Sequence, residues 1–313
     1  MKRRKISLIG TIALFVIGLS VLLYPSFSDW WNTRRANSLI TEYEQVISDM
    51  SDDETARIRE AATAYNRTLI GSVLPDAFAE LQLPPDATYD SMLDPSGSGY
   101  MGTVEVPAID QNLPIYHYTT SEVLEKGAGH LAGSSLPVGG ESTHCVITAH
   151  RGLPTAKLFT DLDRLTEGDV FYLHVLEETL AYEVDQIKVV EPTQTEDLSI
   201  IEGEDLCTLV TCTPYAVNTH RLLVRGHRIP YIEEEYREYN KTSAAPSRLS
   251  VLIRILCVII GIAIALVIIW IISRRYRKKD AAAAAGPKGA ENKAIETLSE
   301  EAEGTEKTED IDP

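Results

Sequence analysis

The chain has 313 residues, a formal net charge of −17 and 24% charged residues. So acidic a chain lacks the basic footprint that a nucleic-acid partner requires, which excludes that class. Three of the four cysteines lie outside the apolar runs described below, and an odd number cannot all pair. On an oxidising surface an unpaired thiol points to a chemical use.

Residues 6–24 form an almost uninterrupted apolar run, preceded by Lys2-Arg-Arg-Lys5. Residues 255–272 form a second, followed by Arg274-Arg-Tyr-Arg-Lys-Lys279. Each is near the ~20 residues that span a bilayer. The basic flanks place both termini in the cytoplasm and the middle of the chain outside, as a multi-pass protein of the cell membrane. The weak small-residue signal at Pro25-Ser-Phe-Ser28 favours an uncleaved anchor over a removed signal peptide.

After the first run, Trp30 and Trp31 with Arg34 and Arg35 form an interfacial belt. Leu39, Tyr43, Val46 and Ile47 predict one helix, and Ile58, Ala61, Ala62 and Tyr65 a second, capped by Asp52 or Asp53. Residues 74–98, with Pro75, Pro84, Pro85 and Pro95, read as loop. The period then changes to two. Strands are expected at 103–109, 113–118, 144–150, 170–175, 179–190, 207–212 and 221–228, with helical pieces at 121–126, after Thr120 as cap, and at 155–165. So many short strands in about 130 residues predict a mainly β fold, a closed barrel with short helices in its connections. The expected organisation is a basic end with a first span (1–29), helices and loop (30–100), the β domain (101–232), a linker (233–250), a second span (251–273) and a basic then acidic, disordered tail (274–313).

The stretch from Thr208 to Arg228 reads as a hairpin whose loop is Thr213-Pro-Tyr-Ala-Val-Asn-Thr219. Cys212 closes one strand and Arg221 opens the next, nine residues later. A guanidinium beside a thiol stabilises the thiolate, the reactive form. His150, at the end of another strand, is the candidate for proton transfer. Alternation puts His144, Val146, Thr148 and His150 on one face, and Cys145, Ile147 and Ala149 on the other. Cys145 and Cys207 then read as core thiols. Arg225 shares a face with Arg221 and is its rival. No carboxylate–histidine cluster has metal-ligand spacing, and no cofactor is expected.

These residues also carry a resemblance. Thr208-Leu-Val-Thr-Cys212 resembles the T-L-x-T-C signature of sortases, and Thr148-Ala-His-Arg-Gly152 their histidine motif. Asn218-Thr-His-Arg221 is similar to the arginine strand of class C, the pilin-polymerising sortases of Gram-positive bacteria. The resemblance implies an eight-stranded β-barrel and cleavage of an LPXTG-like sorting signal between Thr and Gly. Cys212 would be the nucleophile, His150 the acid and base, and Arg221 the oxyanion or orienting group, with Thr148 and Thr211 as supports for site or substrate. A lysine amine of a pilin subunit would accept the acyl group. Class C also implies a lid carrying Asp-Pro-aromatic. Here Asp76-Ala-Phe78 matches without the proline, and Asp94-Pro-Ser96 without the ring. Asp76 is expected to pair with Arg221, and Phe78 to lie against the Cys212 sulfur. The hairpin loop has Ala216 where the family pattern suggests Gly. Competing readings are a housekeeping sortase acting on peptidoglycan, a thiol hydrolase, and a non-catalytic module that binds sorting signals.

Overall fold

The computed structural model describes residues 2–79 and 86–237, together with nine helical residues between 261 and 275. They fall into two units, Met1–Ala245 and Pro246–Pro313. Most of the second predicted span, 255–272, lies outside the described residues, as do the linker beyond 237 and the acidic tail.

The first unit begins with one long helix, α1 (Lys2–Asp49). Among the described residues it is the one helix long and apolar enough to cross a membrane. Its apolar side chains from Leu14 to Leu22 are mostly exposed, while Ala36, Ile40, Tyr43 and Ile47 form a buried stripe. The two halves therefore face different surroundings. The Tyr43 hydroxyl fixes the lower half: it donates to the Met101 carbonyl at 3.1 Å and accepts from the Leu176 amide at 3.1 Å.

The second helix, α2 (Asp52–Thr68), is capped by Ser51, one residue before the expected aspartates. The Glu54 carboxylate reaches back and accepts from the Ser51 amide at 3.0 Å. Asp52 and Asp53 sit in the first turn, where their charge suits the positive end of the helix dipole. Asn66 ties α2 to the barrel by accepting from the Leu136 amide at 2.7 Å. The segment expected to be all loop contains one helical turn, α3 (Ala87–Asp90). Asp86 caps it, and its Tyr89 is buried with the hydroxyl 2.7 Å from His130 Nδ1. A second short helix, α4 (Ser121–Leu124), forms behind Thr120 as expected.

Eight strands form the barrel. They are β1 (Tyr100–Val106), β2 (Gln111–His117), β3 (Ala128–His130), β4 (Thr143–Thr148), β5 (Val170–Val175), β6 (Glu178–Val190), β7 (Asp205–Thr213) and β8 (His220–Ile229). They close in the order β1-β2-β3-β4-β7-β8-β6-β5. The β2/β3 and β4/β7 pairs are parallel and the others antiparallel. Seven strands match the periodicity. β3 has three residues, too few to show one. The helix expected over 155–165 is reduced to a 3-10 turn at Leu162–Arg164. Leu158, at φ 43°, is in the left-handed region and breaks the path. Leu158, Phe159, Leu162 and Leu165 are nevertheless buried, so the apolar spacing reported burial, not helix.

Alternation sorts the barrel walls as expected. Cys145, Ile147, Ala149, Cys207, Leu209, Leu222 and Val224 point into the main core. Val146, Val210 and Leu223 point outward and form a second cluster with Leu74, Ala77, Leu131 and Leu198. The outer face of β4, β7 and β8 is thus covered by the chain that follows α2.

Candidate active site

Three strand ends converge on that outer face. Cys212 and Arg221 are direct partners in the β7/β8 register. β4 runs parallel to β7 with Thr148 opposite Val210; two residues further along this register, His150 comes level with Cys212. The Ala149 amide donates to the Val210 carbonyl at 3.2 Å, and Thr211 Oγ1 donates to the Ala149 carbonyl at 2.8 Å. Thr211 is thus a brace between the strand that carries the thiol and the residue before the histidine. Thr148 is fully buried beside it, and its hydroxyl has no partner among the described residues.

Arg221 Nη1 donates to Cys212 Sγ at 3.5 Å. The other side of the same guanidinium is occupied. Its Nε donates to Asp76 Oδ1 at 2.8 Å and its Nη2 to Asp76 Oδ2 at 2.7 Å, a two-pronged ion pair. The Phe78 ring lies under Arg221, with its centroid 5.0 Å from Cζ, and stands 5.7 Å from the His150 ring. The aromatic ring was expected against the thiol; the ring partners seen are Arg221 and His150. Phe78 makes a cation–π contact with one and stacks at a tilt on the other.

The second lid candidate is placed elsewhere. Asp94 accepts from the amides of Ser98 at 2.9 Å and Gly99 at 3.0 Å, and so closes its own turn before β1. The rival arginine is also engaged: Arg225 holds Asp185 by two bonds of 3.0 and 2.8 Å. Cys145, Cys207 and Cys212 are all free thiols, and the first two lie in the barrel core.

Burial under the covering segment pushes the Cys212 thiol up; Arg221 pulls it down and Asp76 adds to the rise. Burial pushes the His150 imidazole down, opposed by Glu125. Both shifts favour the uncharged forms, so near neutral pH the covered site holds a thiol and a neutral imidazole.

The sequence reading missed several residues around this site. Leu74 and Ala77 are buried against the outer face beside Asp76. Arg151, next to His150, pairs with Asp163 and bonds Thr213. For Leu74 the signal was an apolar residue inside a proline-flanked loop. For Arg151 none existed beyond its place in the histidine motif.

Residues 104–229 match the family model described as the sortase domain. The crystal structure of Streptococcus pneumoniae sortase C, described in connection with pilin substrate specificity, is 52% identical. It aligns with a TM-score of 0.57, over 62% of this chain and 97% of that one. Streptococcus agalactiae sortase C1 is 49% identical, with a TM-score of 0.59 over 64% of this chain and 98% of that one. In sequence, Bacillus subtilis sortase D is 28% identical over 131 residues, 41% of this chain and 63% of that protein, less than two thirds of its length.

Proposed function

Since the chain belongs to the sortase family of cysteine transpeptidases, we propose that it cleaves an LPXTG-like sorting signal and transfers the acyl group to an amine. The observation that carries this reading is the register of β7 and β8, which sets Cys212 opposite Arg221 with Nη1 3.5 Å from the sulfur. Cys212 gives its proton to His150, attacks the Thr–Gly carbonyl and, as the C–N bond breaks, forms a thioacyl-enzyme. His150, as imidazolium, protonates the departing glycine amine and then takes the proton of the incoming one. Arg221, released from Asp76, donates to the oxyanion. Thr211 braces the strand ends, and the Thr148 hydroxyl on the same face has no partner among the described residues.

Asp76 and Phe78 act as a lid, since in the covered state they occupy both Arg221 and the face of His150. The acceptor is a lysine amine of a pilin subunit. Support for this choice comes from the identity to sortase C structures, one of them described as pilus-related. The exposed apolar half of α1 serves as the membrane anchor. The basic flanks of residues 6–24 and 255–272 favour two spans with an external barrel.

The test is mass spectrometry of the full chain in detergent micelles, with the lid variant Asp76→Ala and an LPXTG peptide. An acyl adduct on Cys212, discharged by an added amine and missing in Cys212→Ala, is the expected result. Cleavage that persists in Cys212→Ala would sink the reading.

A further inference from the structure

The residue that follows the candidate acid–base is a buried charge with an unusual set of partners. The Arg151 side chain is 8% exposed. Its Nη1 donates to Thr213 Oγ1 at 3.3 Å, on the residue next to Cys212. Its Nη2 pairs with Asp163 of the 3-10 turn Leu162–Arg164. The guanidinium lies 5.9 Å from the centroid of the Tyr215 ring, in the β7–β8 loop. Its Nε is buried with no partner among the described residues. Gly152 extends the same arrangement: its φ is +76°, and a Cβ there would sit 3.0 Å from Tyr215 Cε2. Two stretches of the β4–β5 connection, the end of β7 and the β7–β8 loop therefore meet on one guanidinium.

A catalytic base is ordinarily oriented by a third group bonded to its second ring nitrogen. Among the described residues, the His150 ring has no hydrogen-bond partner, and its ring contact is Phe78. Phe78 belongs to the covering segment, so that contact is lost when the site opens. What then fixes His150 against Cys212 is the backbone on either side of them. Arg151 spans that gap from the neighbour of one to the neighbour of the other. Stability gives little reason for a charge there, because a buried ion pair is often no better than a well-packed apolar side chain.

We propose that Arg151 is a positioning residue for the reaction: by joining the β4 end to Thr213, it sets the separation of His150 and Cys212 once the lid has opened. The proposal rests on the assignment of Cys212 and His150 made above. A misplacement of about 1 Å between reacting groups lowers turnover on the order of 10²-fold.

The experiment uses the full chain in detergent micelles, in an Asp76→Ala background, with an LPXTG peptide as substrate. Arg151→Gln is expected to lower kcat by roughly 10²-fold with KM unchanged. Arg151→Lys, which keeps the charge without the planar fork, recovers only part of the loss. Thr213→Val follows the same pattern, and the double variant with Arg151→Gln is no worse than Arg151→Gln alone. The pH midpoint for alkylation of Cys212 moves up in Arg151→Gln, because a displaced imidazolium no longer supports the thiolate. Unchanged kcat and an unchanged alkylation profile, with Cys212→Ala and His150→Ala inactive, would overturn the proposal. So would a loss of kcat that only tracks the folded fraction, which marks a structural residue. Cleavage by Cys212→Ala would instead remove the site assignment, and this proposal with it.

Discussion

At the residue scale, two arginines on one strand have been sorted by their partners. Arg221 faces the thiol and Asp76 of the covering segment; Arg225 faces Asp185, which lies on the neighbouring strand β6. Arg221→Ala in a lid-open background is therefore expected to lower kcat/KM of peptide cleavage by roughly 10²–10³-fold, the usual scale for an oxyanion donor. Arg221→Lys stays poor, since a point charge cannot reproduce a fork. Arg225→Ala keeps most activity, as do Cys145→Ala and Cys207→Ala wherever they fold. Near-normal turnover in Arg221→Ala would move the role to another donor. In the hairpin loop, Ala216 has φ 64°, a left-handed conformation that disfavours a side chain by about 1–2 kcal/mol. This explains why Gly suits the position. Thermal melting of Ala216→Gly should show a stability equal to or above that of the parent, with the gain reduced by the added freedom of the unfolded chain.

At the scale of the element, the covering segment is held more firmly than an exposed loop with a surface ion pair. Asp76 and Arg221 are 19% and 12% exposed, and the pair is two-pronged and charge-assisted. Leu74 and Ala77 add apolar burial on Val146, Val210 and Leu223. A fully buried leucine contributes ~1.5–3 kcal/mol, more than an exposed ion pair. Asp76→Ala and Leu74→Ala are both expected to speed alkylation of Cys212 without unfolding the barrel, while Asp94→Ala leaves the rate unchanged. The pH dependence should also move. Asp76 and burial hold the thiol up; their removal leaves Arg221 free to stabilise the thiolate. The alkylation midpoint therefore shifts to lower pH in Asp76→Ala. A higher rate with no shift would mean that the segment blocks access only.

For the whole molecule, one link between site and barrel is expected to weaken in acid. His144 lies between Ser199 O, 2.8 Å from its Nδ1, and Thr208 Oγ1, 2.7 Å from its Nε2. It fastens the β6–β7 connection to the strands that carry the histidine and the cysteine. Burial pushes its imidazole down to about 4 from an ordinary 6.5, partly offset by the Ser199 carbonyl. The unfolded chain therefore binds this proton first. The contribution of this group to stability is fully present above about 6.5 and is lost as the pH falls from there towards about 4. Urea midpoints of the full chain in micelles should fall over this window, and His144→Gln should flatten the slope while lowering the plateau. An unchanged slope in that variant would place the acid sensitivity elsewhere.

Much of this protein was legible in the order of its residues, because alternation along a strand is a covalent property. Residues 170–175 were expected as a strand and form β5, Val170–Val175. The opposite faces of Cys145 and Val146, and the facing of Cys212 and Arg221 across a hairpin, follow from a period of two and a short loop. Other features needed the folded chain. β3 exists because β2 and β4 each offer it an edge. Leu158 takes a left-handed turn within an apolar pattern of helical spacing. The choice between Asp76 and Asp94 was open in the sequence, and Asp76 meets Arg221 across 145 residues of chain. Arg151 had no signal beyond its place in the histidine motif, since its partners are Asp163, twelve residues further along the same connection, and Thr213 at the end of β7. Local periodicity reports which side of an element a residue occupies. Which distant group it meets there is decided only when the barrel closes.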